Sequence, residues 1–338
     1  MARAGEALGR IAHLLERARE PTYRVRAFRG AARVIAGLSD AELAALAATG
    51  RLRSLPGVGE KTERVVLQVL AGEVPTYLGR LESLAPDPTE GPGAGLRAAL
   101  LGDCHVHSDW SDGGSPIEEM ARTAAGLGHR YMVLTDHSPR LTVANGLSPA
   151  RLRRQLDEVA TINQALAPFR ILTGIEVDIN EDGTLDQEDE LLARLDVVVG
   201  SVHSKLRMDA PAMTARMVAA LANPHLDVLG HCTGRLLTGR GRPESSFDAA
   251  AVLAAAIVHD KAIEVNCRPE RLDPPMRILR AAAAAGCRLA VDTDAHAPGQ
   301  LEWQPFGCDR AATAGARADQ VVNALPADEL VAWAASHG

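Results

Sequence analysis

The feature that most constrains this 338-residue chain is a series of seven short apolar runs after residue 100, nearly all of which end in His, Asp or Glu. The runs are LLGDCHVH, RYMVLTDH, FRILTGIEVDI, LDVVVGSVH, LDVLGHC, KAIEVNC and CRLAVDTDAH. Helix-like stretches such as 116–127 and 149–167 follow them, which is typical of βα units around a parallel sheet buried on both faces. We therefore predict an α/β fold with a closed or distorted (β/α)7 barrel, or alternatively an open doubly wound sheet.

Polar residues at the ends of these runs would meet, because the carboxyl ends of barrel strands converge. Alternation along a strand places His105 and His107 on one side, and likewise Asp294 and His296. The candidate metal ligands are His105, His107, Asp112, His137, Glu176, His203, His231, Asp294 and His296. The remaining histidines are expected to be ordinary surface or capped residues: His13, His129, His225, His259 and His337.

Nitrogen and carboxylate ligands without thiolate favour Zn, Mn or Fe(II). Nine ligands are too many for one ion, but they suffice for a cluster of two or three ions with open positions. Phosphoryl hydrolysis requires such a cluster, with a shared carboxylate, an activated hydroxide and cations on the developing charge. Cys104, Cys232 and Cys267 adjoin ligand positions and are interpreted as small wall residues.

The first 80 residues are predicted to be helical. Ser39 and Glu42 form a capping-box pattern, and Gly57 and Gly59 head a new helix, where backbone N–H groups could cradle a phosphate. Residues 81–99 are rich in Pro, Gly and acid and are predicted to be a linker before the barrel of 100–338.

The charge is distributed unevenly. Residues 1–80 carry 13 Lys and Arg against 8 Asp and Glu, a net of +5, whereas the rest carries 23 against 35, a net of −12. A basic module on an acidic body fits nucleic-acid binding, with a merely solvated arginine-rich surface as the alternative. The scattered cysteines, and an N-terminus without an apolar signal core, predict a reducing cytoplasm and no membrane partner.

In their order, DCHVHSDWSDG, LTDHS, GIEVDI, SVHS, GHCTGRLL and DTDAH resemble the motifs of the PHP (polymerase and histidinol phosphatase) family over about 100–335. The segments around GHCTGRLL and EVN are most similar to the PHP domain of bacterial family X DNA polymerases. Cys232 and Cys267 stand where proline and alanine are usual. The resemblance implies a cluster of three ions: one on His105, His107, Glu176 and Asp294, a second on Glu176, His203 and His231, and a third on Asp112, His137 and His296.

Basic residues near the strand ends are catalytic candidates for holding substrate phosphates, although surface solvation or pairing with acids is an equal alternative. They are Lys205, Arg235, Arg268 and Arg271. The N-terminal module resembles the helix-hairpin-helix module of family X polymerases, which implies contacts to the DNA backbone. The candidates are Tyr23, Arg24, Arg26, Arg29, Gly57, Gly59, Lys61 and Arg64.

Departures from that resemblance limit the activity expected. Val65 occupies the position of the Schiff-base lysine of lyase-active members, and Glu63 stands where a small residue is common. The polymerase palm is replaced by the short linker. Neither lyase nor polymerase activity is predicted.

The leading hypothesis is therefore a metal-dependent phosphoesterase that hydrolyses DNA phosphodiesters, as a 3'-5' exonuclease or in processing damaged 3' ends during repair. The alternative is a small-molecule phosphomonoesterase of the histidinol phosphatase type. A third hypothesis is a non-catalytic DNA-binding protein with structural metals.

Overall fold

The computed structural model describes residues 4–84 and 90–337, and the chain divides into two compact units, 1–87 and 88–338. The first unit is all-helical and the second is α/β. The predicted fold class is thus confirmed, with a nearly closed barrel of seven parallel strands after a helical domain. Within the described ranges, no helix is long and apolar enough to cross a membrane.

The helical unit is built on amphipathic periodicity. Its helices are α1 (Ala4–Arg17), α2 (Thr22–Ala36), α3 (Asp40–Ala48), α4 (Glu60–Leu70) and α5 (Thr76–Ser83). Leu8, Ile11 and Leu15 are fully buried along one face of α1, as expected for apolar residues three or four apart. Ser39 and Glu42 form the predicted capping box of α3, with each side chain bonded to the other residue's backbone N–H.

Two backbone N–H groups of the glycine hairpin between α3 and α4 form hydrogen bonds within the hairpin and the first turn of α4. Gly57 has a φ of +73°, which favours glycine, and Gly59 is the N-cap of α4. The Val58 N–H donates to Leu55 O at 3.2 Å, and the Gly59 N–H donates to Thr62 Oγ1 at 2.9 Å. These two amides are therefore not available to a phosphate.

The second unit contains seven parallel strands in sequential order: β1 (Gly102–Val106), β2 (Tyr131–Leu134), β3 (Arg170–Asp178), β4 (Val197–Ser201), β5 (Val228–Leu229), β6 (Ala262–Asn266) and β7 (Arg288–Asp292). The chain returns to β1 beyond β7, where the His107 N–H donates to Ala295 O at 2.8 Å and Val106 bridges Ala295. This closure brings the first and last ligand pairs of the sequence side by side.

Helices accompany the strands: α6 (Ala94–Ala99), α7 (Ile117–Gly126), α8 (Pro149–Leu166), α9 (Asp189–Leu192), α10 (Ala210–Leu221), α11 (Ala249–Val258), α12 (Met276–Ala285), α13 (Gln304–Thr313) and α14 (Ala327–Ala335). Both faces of the strands are buried. Leu172 lies on the same side of β3 as Glu176 and belongs to a cluster with Val133, Val199 and Trp333 of α14. The apolar cluster thus occupies the strand positions that precede the polar ends.

The predicted linker, 81–99, needs correction at both ends, because helix α5 continues to Ser83 and another helix begins at Ala94. Ala94–Ala99 forms helix α6, and its Leu96 is buried in the core of the barrel unit. The Gly93 N–H donates to Asp309 Oδ1 at 2.8 Å, and a Cβ at Gly93 would lie 2.3 Å from Asp309 N. Gly93, part of the composition that suggested a linker, is therefore required by this close approach. Residues 85–89 of the predicted linker lie outside the described residues.

Two histidines expected at the surface are buried, although neither joins the nine candidate ligands. His337 Nδ1 lies 2.7 Å from Asp227 Oδ1, and His129 Nε2 lies 3.4 Å from an Arg97 nitrogen of α6. Burial, followed by the field of Arg97, lowers the pKa of His129 from 6.5 to about 3. His129 is therefore neutral in the folded protein throughout the neutral range.

A pH-dependent loss of stability follows from this depressed pKa. His129 becomes protonated below about pH 6.5 in the unfolded chain, but only below about pH 3 in the folded protein. The free energy of unfolding therefore decreases as the pH falls from 6.5 to 3. At pH 5.5 the loss relative to pH 8 should be about 1.4 kcal/mol. We expect His129→Gln to remove that part of the difference between urea unfolding at the two pH values. An unchanged difference in the variant would contradict this prediction.

Candidate metal centre

The nine predicted ligands lie together at the carboxyl ends of the strands. His105 lies in β1 and Glu176 in β3, and the others follow the ends of β1, β2, β4, β5 and β7. Six of them are buried, whereas the His203, His296 and Asp112 side chains retain 13%, 18% and 37% exposure. The site is therefore a deep polar pit that is most accessible at Asp112 and His296.

Glu176 lies at the centre of this pit. Its Oε1 is 3.0 Å from His231 Nε2 and 3.3 Å from His203 Nε2. Its Oε2 is 3.4 Å from His105 Nε2 and 3.6 Å from His107 Nε2. A carboxylate in this position can bridge two ions, since each oxygen faces a different set of nitrogens.

Among the described residues, three groups of side chains can each offer ligand atoms that all lie within 4.8 Å of one another. They are His107, Asp112, His137 and His296; His105, His107 and Asp294; and His137, Glu176 and His203. Ligands at about 2.0–2.2 Å from one ion are necessarily this close. The groups overlap the three sets implied by the family resemblance, but His107 and His137 each belong to two groups and His231 belongs to none.

The buried atoms that face the pit fit a metal cluster. His105 Nε2, His107 Nε2 and both carboxylate oxygens of Glu176 are buried without a hydrogen-bond partner in the described structure. Leaving such groups unsatisfied is costly, whereas divalent cations would satisfy all of them at once. The residues therefore fit the cluster that their chemistry implies, with nitrogen and oxygen ligands only.

The electrostatics of the pit also favour bound cations. Burial opposes the charge of Glu176, but the surrounding histidines, His137 foremost, hold its pKa well below the ordinary value. Burial likewise opposes a charge on His105, yet Glu176 and Glu264 raise its pKa well above 6.5. The carboxylates thus remain ionised and draw positive charge into the pit, as protons or as metal ions.

Sequence analysis missed Glu264 and Asn266, the polar residues of β6. Glu264 is fully buried, accepts a hydrogen bond from His105 Nδ1 at 2.6 Å and accepts the His231 N–H at 2.5 Å. Asn266 Nδ2 donates to Asp294 Oδ2 at 3.1 Å. Glu264 fixes the His105 tautomer that leaves Nε2 free for a metal. Like LLGDCHVH and CRLAVDTDAH, the run KAIEVNC places polar residues two positions apart at the end of an apolar strand, and this pattern could have identified both residues.

A second buried carboxylate holds the turn that carries Asp112. Asp136 accepts hydrogen bonds from Ser108 Oγ at 2.6 Å, Ser111 Oγ at 2.5 Å and Gln155 Nε2 at 2.6 Å. The exposed ligand of the pit therefore rests on a fixed loop.

The cysteines near the site remain wall residues. Cys104, Cys232 and Cys267 are buried, and burial raises the pKa of each thiol well above its ordinary value. The neutral thiol is a poor metal ligand, and none of the three ligand groups contains a cysteine.

Two of the four predicted phosphate-holding residues contact the cluster. Arg268 Nη1 lies 3.0 Å from His296 Nδ1, and Arg271 Nε lies 3.3 Å from Asp294 Oδ2. Arg271 Nε and Nη1 are buried without a hydrogen-bond partner in the described part of the chain. Arg235 is linked to the cluster through Arg271, because the Arg235 Nε donates to Arg271 O at 2.9 Å. Lys205 is exposed.

The predicted DNA contacts in the helical unit fall into two groups. Arg24, Arg29 and Arg64 each form an ion pair with a glutamate, at 2.6, 2.6 and 3.0 Å. Arg26 and Lys61 are exposed and form no ion pair among residues 4–84 and 90–337. These two cations are the more accessible to an anionic partner.

Comparison with known proteins agrees with this organisation. The PHP domain matches residues 103–268, and the helix-hairpin-helix domain matches residues 3–74. The chain is 39% identical over 234 residues to the DNA polymerase/3'-5' exonuclease PolX of Bacillus subtilis, covering 69% of this chain but 41% of that protein. The chain thus spans less than half of that relative. A probable phosphatase of Thermoanaerobacter sp. (strain X514) is 30% identical over 208 residues, with 58% and 79% covered.

Among solved structures, histidinol phosphate phosphatase from Lactococcus lactis, complexed with zinc, L-histidinol and phosphate, is similar with a TM-score of 0.47 and 16% identity. That likeness covers 64% of this chain and 95% of the other. The strand-end cluster in a parallel barrel defines a hydrolase of the metal-dependent phosphoesterase class. The chain belongs to the PHP domain family.

The role of Glu264 predicts a specific loss. Replacing it in Glu264→Gln keeps the shape but removes the charge that orients and polarises His105, so affinity for Zn²⁺ or Mn²⁺ should fall about 10- to 100-fold. Competition with a metal-binding dye measures this affinity, and the exposed change Glu190→Gln is the matched control. Equal affinities for both variants would show that Glu264 does not act on the metals.

Proposed function

We propose that the chain hydrolyses phosphodiester bonds of DNA, as a 3'-5' exonuclease or a processor of damaged 3' ends. The observation that carries this proposal is the presence of a helix-hairpin-helix domain and a metal-ligand barrel in one chain. The Bacillus subtilis relative is named as a DNA polymerase/3'-5' exonuclease, which supports the same assignment.

The chain's own residues provide the surroundings that phosphate hydrolysis needs. When bound, divalent cations supply Lewis acidity and an acidified water for attack on phosphorus. Arg268 and Arg271 place guanidinium groups beside Asp294, where they can hold the non-bridging oxygens of a phosphate. Arg235 donates a hydrogen bond to the backbone carbonyl of Arg271 and so anchors the loop that carries Arg271. Arg235 is therefore a positioning residue.

The helical unit would supply affinity for the DNA backbone. Contacts from Arg26, Lys61 and the helix-hairpin-helix segment carry no sequence information and weaken with salt, as expected for phosphate contacts. The opposite net charges of the two parts of the chain favour this division, because the acidic barrel alone would repel a polyanion.

A small-molecule phosphomonoesterase is the second candidate. It is favoured by the match to a probable phosphatase, of whose length 79% is covered by this chain. The same cluster serves either reaction, so the substrate must distinguish them. A non-catalytic role for the barrel is disfavoured because eight of the nine candidate ligands fall into groups that could hold a metal ion, and the ninth, His231, lies 3.0 Å from Glu176.

Asp294→Asn should abolish hydrolysis, with a loss of at least about a thousand-fold, because it removes a buried negative ligand beside two arginines. Asp294 has a φ of +52°, a conformation that asparagine tolerates well, so the backbone should be retained. The assay offers 5'-labelled single-stranded DNA and, separately, histidinol phosphate to protein supplied with Mn²⁺ or Zn²⁺.

The control for this assay is Asp157→Asn, an exposed carboxylate change on α8, which should leave both rates unchanged. Shortening of the DNA by wild type, lost on chelation and in Asp294→Asn, is the expected result. Release of inorganic phosphate from histidinol phosphate with intact DNA would replace the proposal by the phosphomonoesterase. Inactivity on both substrates would favour the non-catalytic role.

Lys61→Gln tests the helical unit separately. The variant should bind DNA of any sequence more weakly, because one phosphate contact is lost. The slope of log affinity against log salt concentration should be lower in magnitude by about 1. Arg80→Gln makes the same charge change at an exposed position of α5 and should bind like wild type. Fluorescence anisotropy at several salt concentrations measures both slopes, and equal slopes would exclude a contact from Lys61.

A further inference from the structure

The loops after β4 and β5 enclose a second feature beside the metal centre. A cavity of about 550 Å³ lies between residues 205–208 and 242–246. The first of these segments begins two residues after His203, and the loop that leads to the second follows His231. The cavity is therefore close in the chain to two candidate ligands, His203 and His231, whose Nε2 atoms both face Glu176 Oε1.

These loops are fixed by hydrogen bonds within and between them. Leu236 and Arg242 form an antiparallel bridge with two N–H···O bonds of 2.9 Å, which closes a short hairpin over 236–242. Ser245 Oγ donates to Leu206 O at 3.0 Å and joins the two loops. The hairpin turns at Gly239 and Gly241, with φ values of +69° and +66° that favour glycine.

The charge of this region is opposite to that of the barrel as a whole. Lys205, Arg207 and Arg242 line the cavity, and the exposed Arg240 lies in the turn of the hairpin. None of these four cations forms an ion pair within the part of the chain that the structure describes. Residues 81–338 carry a net charge of −12, so an unpaired cationic group here departs from its surroundings.

Glu244, the acidic residue that lines the same cavity, forms ion pairs with two arginines that do not line it. Glu244 Oε1 lies 3.2 Å from Arg235 Nη1, and Glu244 Oε2 lies 2.5 Å from Arg277 Nη2. Lys205 also has a φ of +54°, a conformation that costs a lysine free energy and is found where a local constraint imposes it. Arg242 Nε donates to Gly234 O at 2.5 Å, so the terminal nitrogens of Arg242, together with Lys205 and Arg207, remain available to an external anion.

We propose that Lys205, Arg207, Arg240 and Arg242 form a subsite for the backbone phosphates of a single-stranded polynucleotide whose terminal phosphodiester lies at the metal centre. This inference rests on the proposed function and assigns to its substrate a requirement for flanking phosphates. A small phosphomonoester would reach Arg268 and Arg271 but would have no second phosphate for this group. Several cations around a groove, each able to contact a different phosphate, are typical of strand-tracking surfaces.

The test compares two substrates of the full chain. The double variant Arg207→Gln/Arg240→Gln should lower kcat/KM about ten-fold on a 12-nucleotide single strand, and it should reduce the salt slope of binding by about 1.4. Hydrolysis of bis(p-nitrophenyl) phosphate, a diester without flanking phosphates, should stay within two-fold. Arg130→Gln/Arg280→Gln makes the same charge change at exposed positions elsewhere on the barrel and is the matched control.

Binding of the labelled strand is measured in parallel by anisotropy in the Asp294→Asn background. If wild type leaves the strand intact while the double variant still weakens binding, the proposed function fails and the subsite stands. If wild type cleaves the strand and the double variant cleaves and binds it like the control, the subsite is refuted and the function stands. An equal loss on both substrates would also refute the subsite, because it would show damage to the metal centre.

Discussion

The barrel and its chemistry both depend on the contact of one buried carboxylate, Glu176, with histidines from neighbouring strands. A lone carboxylate at this depth would be expensive, so it persists only with positive charge around it. The same residue helps to pair the strands, because the Ser138 N–H donates to Glu176 O at 3.0 Å and the Glu176 N–H donates to Asp136 O. The register of strands β2 and β3 therefore also fixes the position of the Glu176 carboxylate among the candidate ligands.

This coupling explains why much of the site could be predicted from the sequence. A parallel barrel buries both faces of each strand, so a His, Asp or Glu at a strand end has few explanations other than the shared cavity. Six such ends pointed to the ligand types without any knowledge of distances. The rule was applied incompletely to β6, where Glu264 and Asn266 follow the same alternation but support the ligands instead of facing the centre.

What could not be predicted depends on contacts between residues far apart in the chain. Glu264 meets His105 across 159 positions, and Gly93 meets Asp309 across 216. A local reading of composition therefore assigned 94–99 to a linker, although tertiary packing makes it helix α6. Charge counts in the helical unit had the same limitation. They gave the net charge of the unit, but not that Arg29 is held by Glu16 while Lys61 remains exposed.

The metal centre by itself does not distinguish a phosphodiester from a phosphomonoester, since both present the same phosphoryl oxygens to the same ligands. Selectivity must come from groups that contact the rest of the substrate. An acidic barrel repels a polyanion at long range, so a strand can approach only where unpaired cations offset the field. The loops after β4 and β5 supply such cations beside the ligands, and the helical unit supplies others. A monophosphate would use neither, so the proposal of a polynucleotide substrate rests on these two basic surfaces more than on the metal ligands.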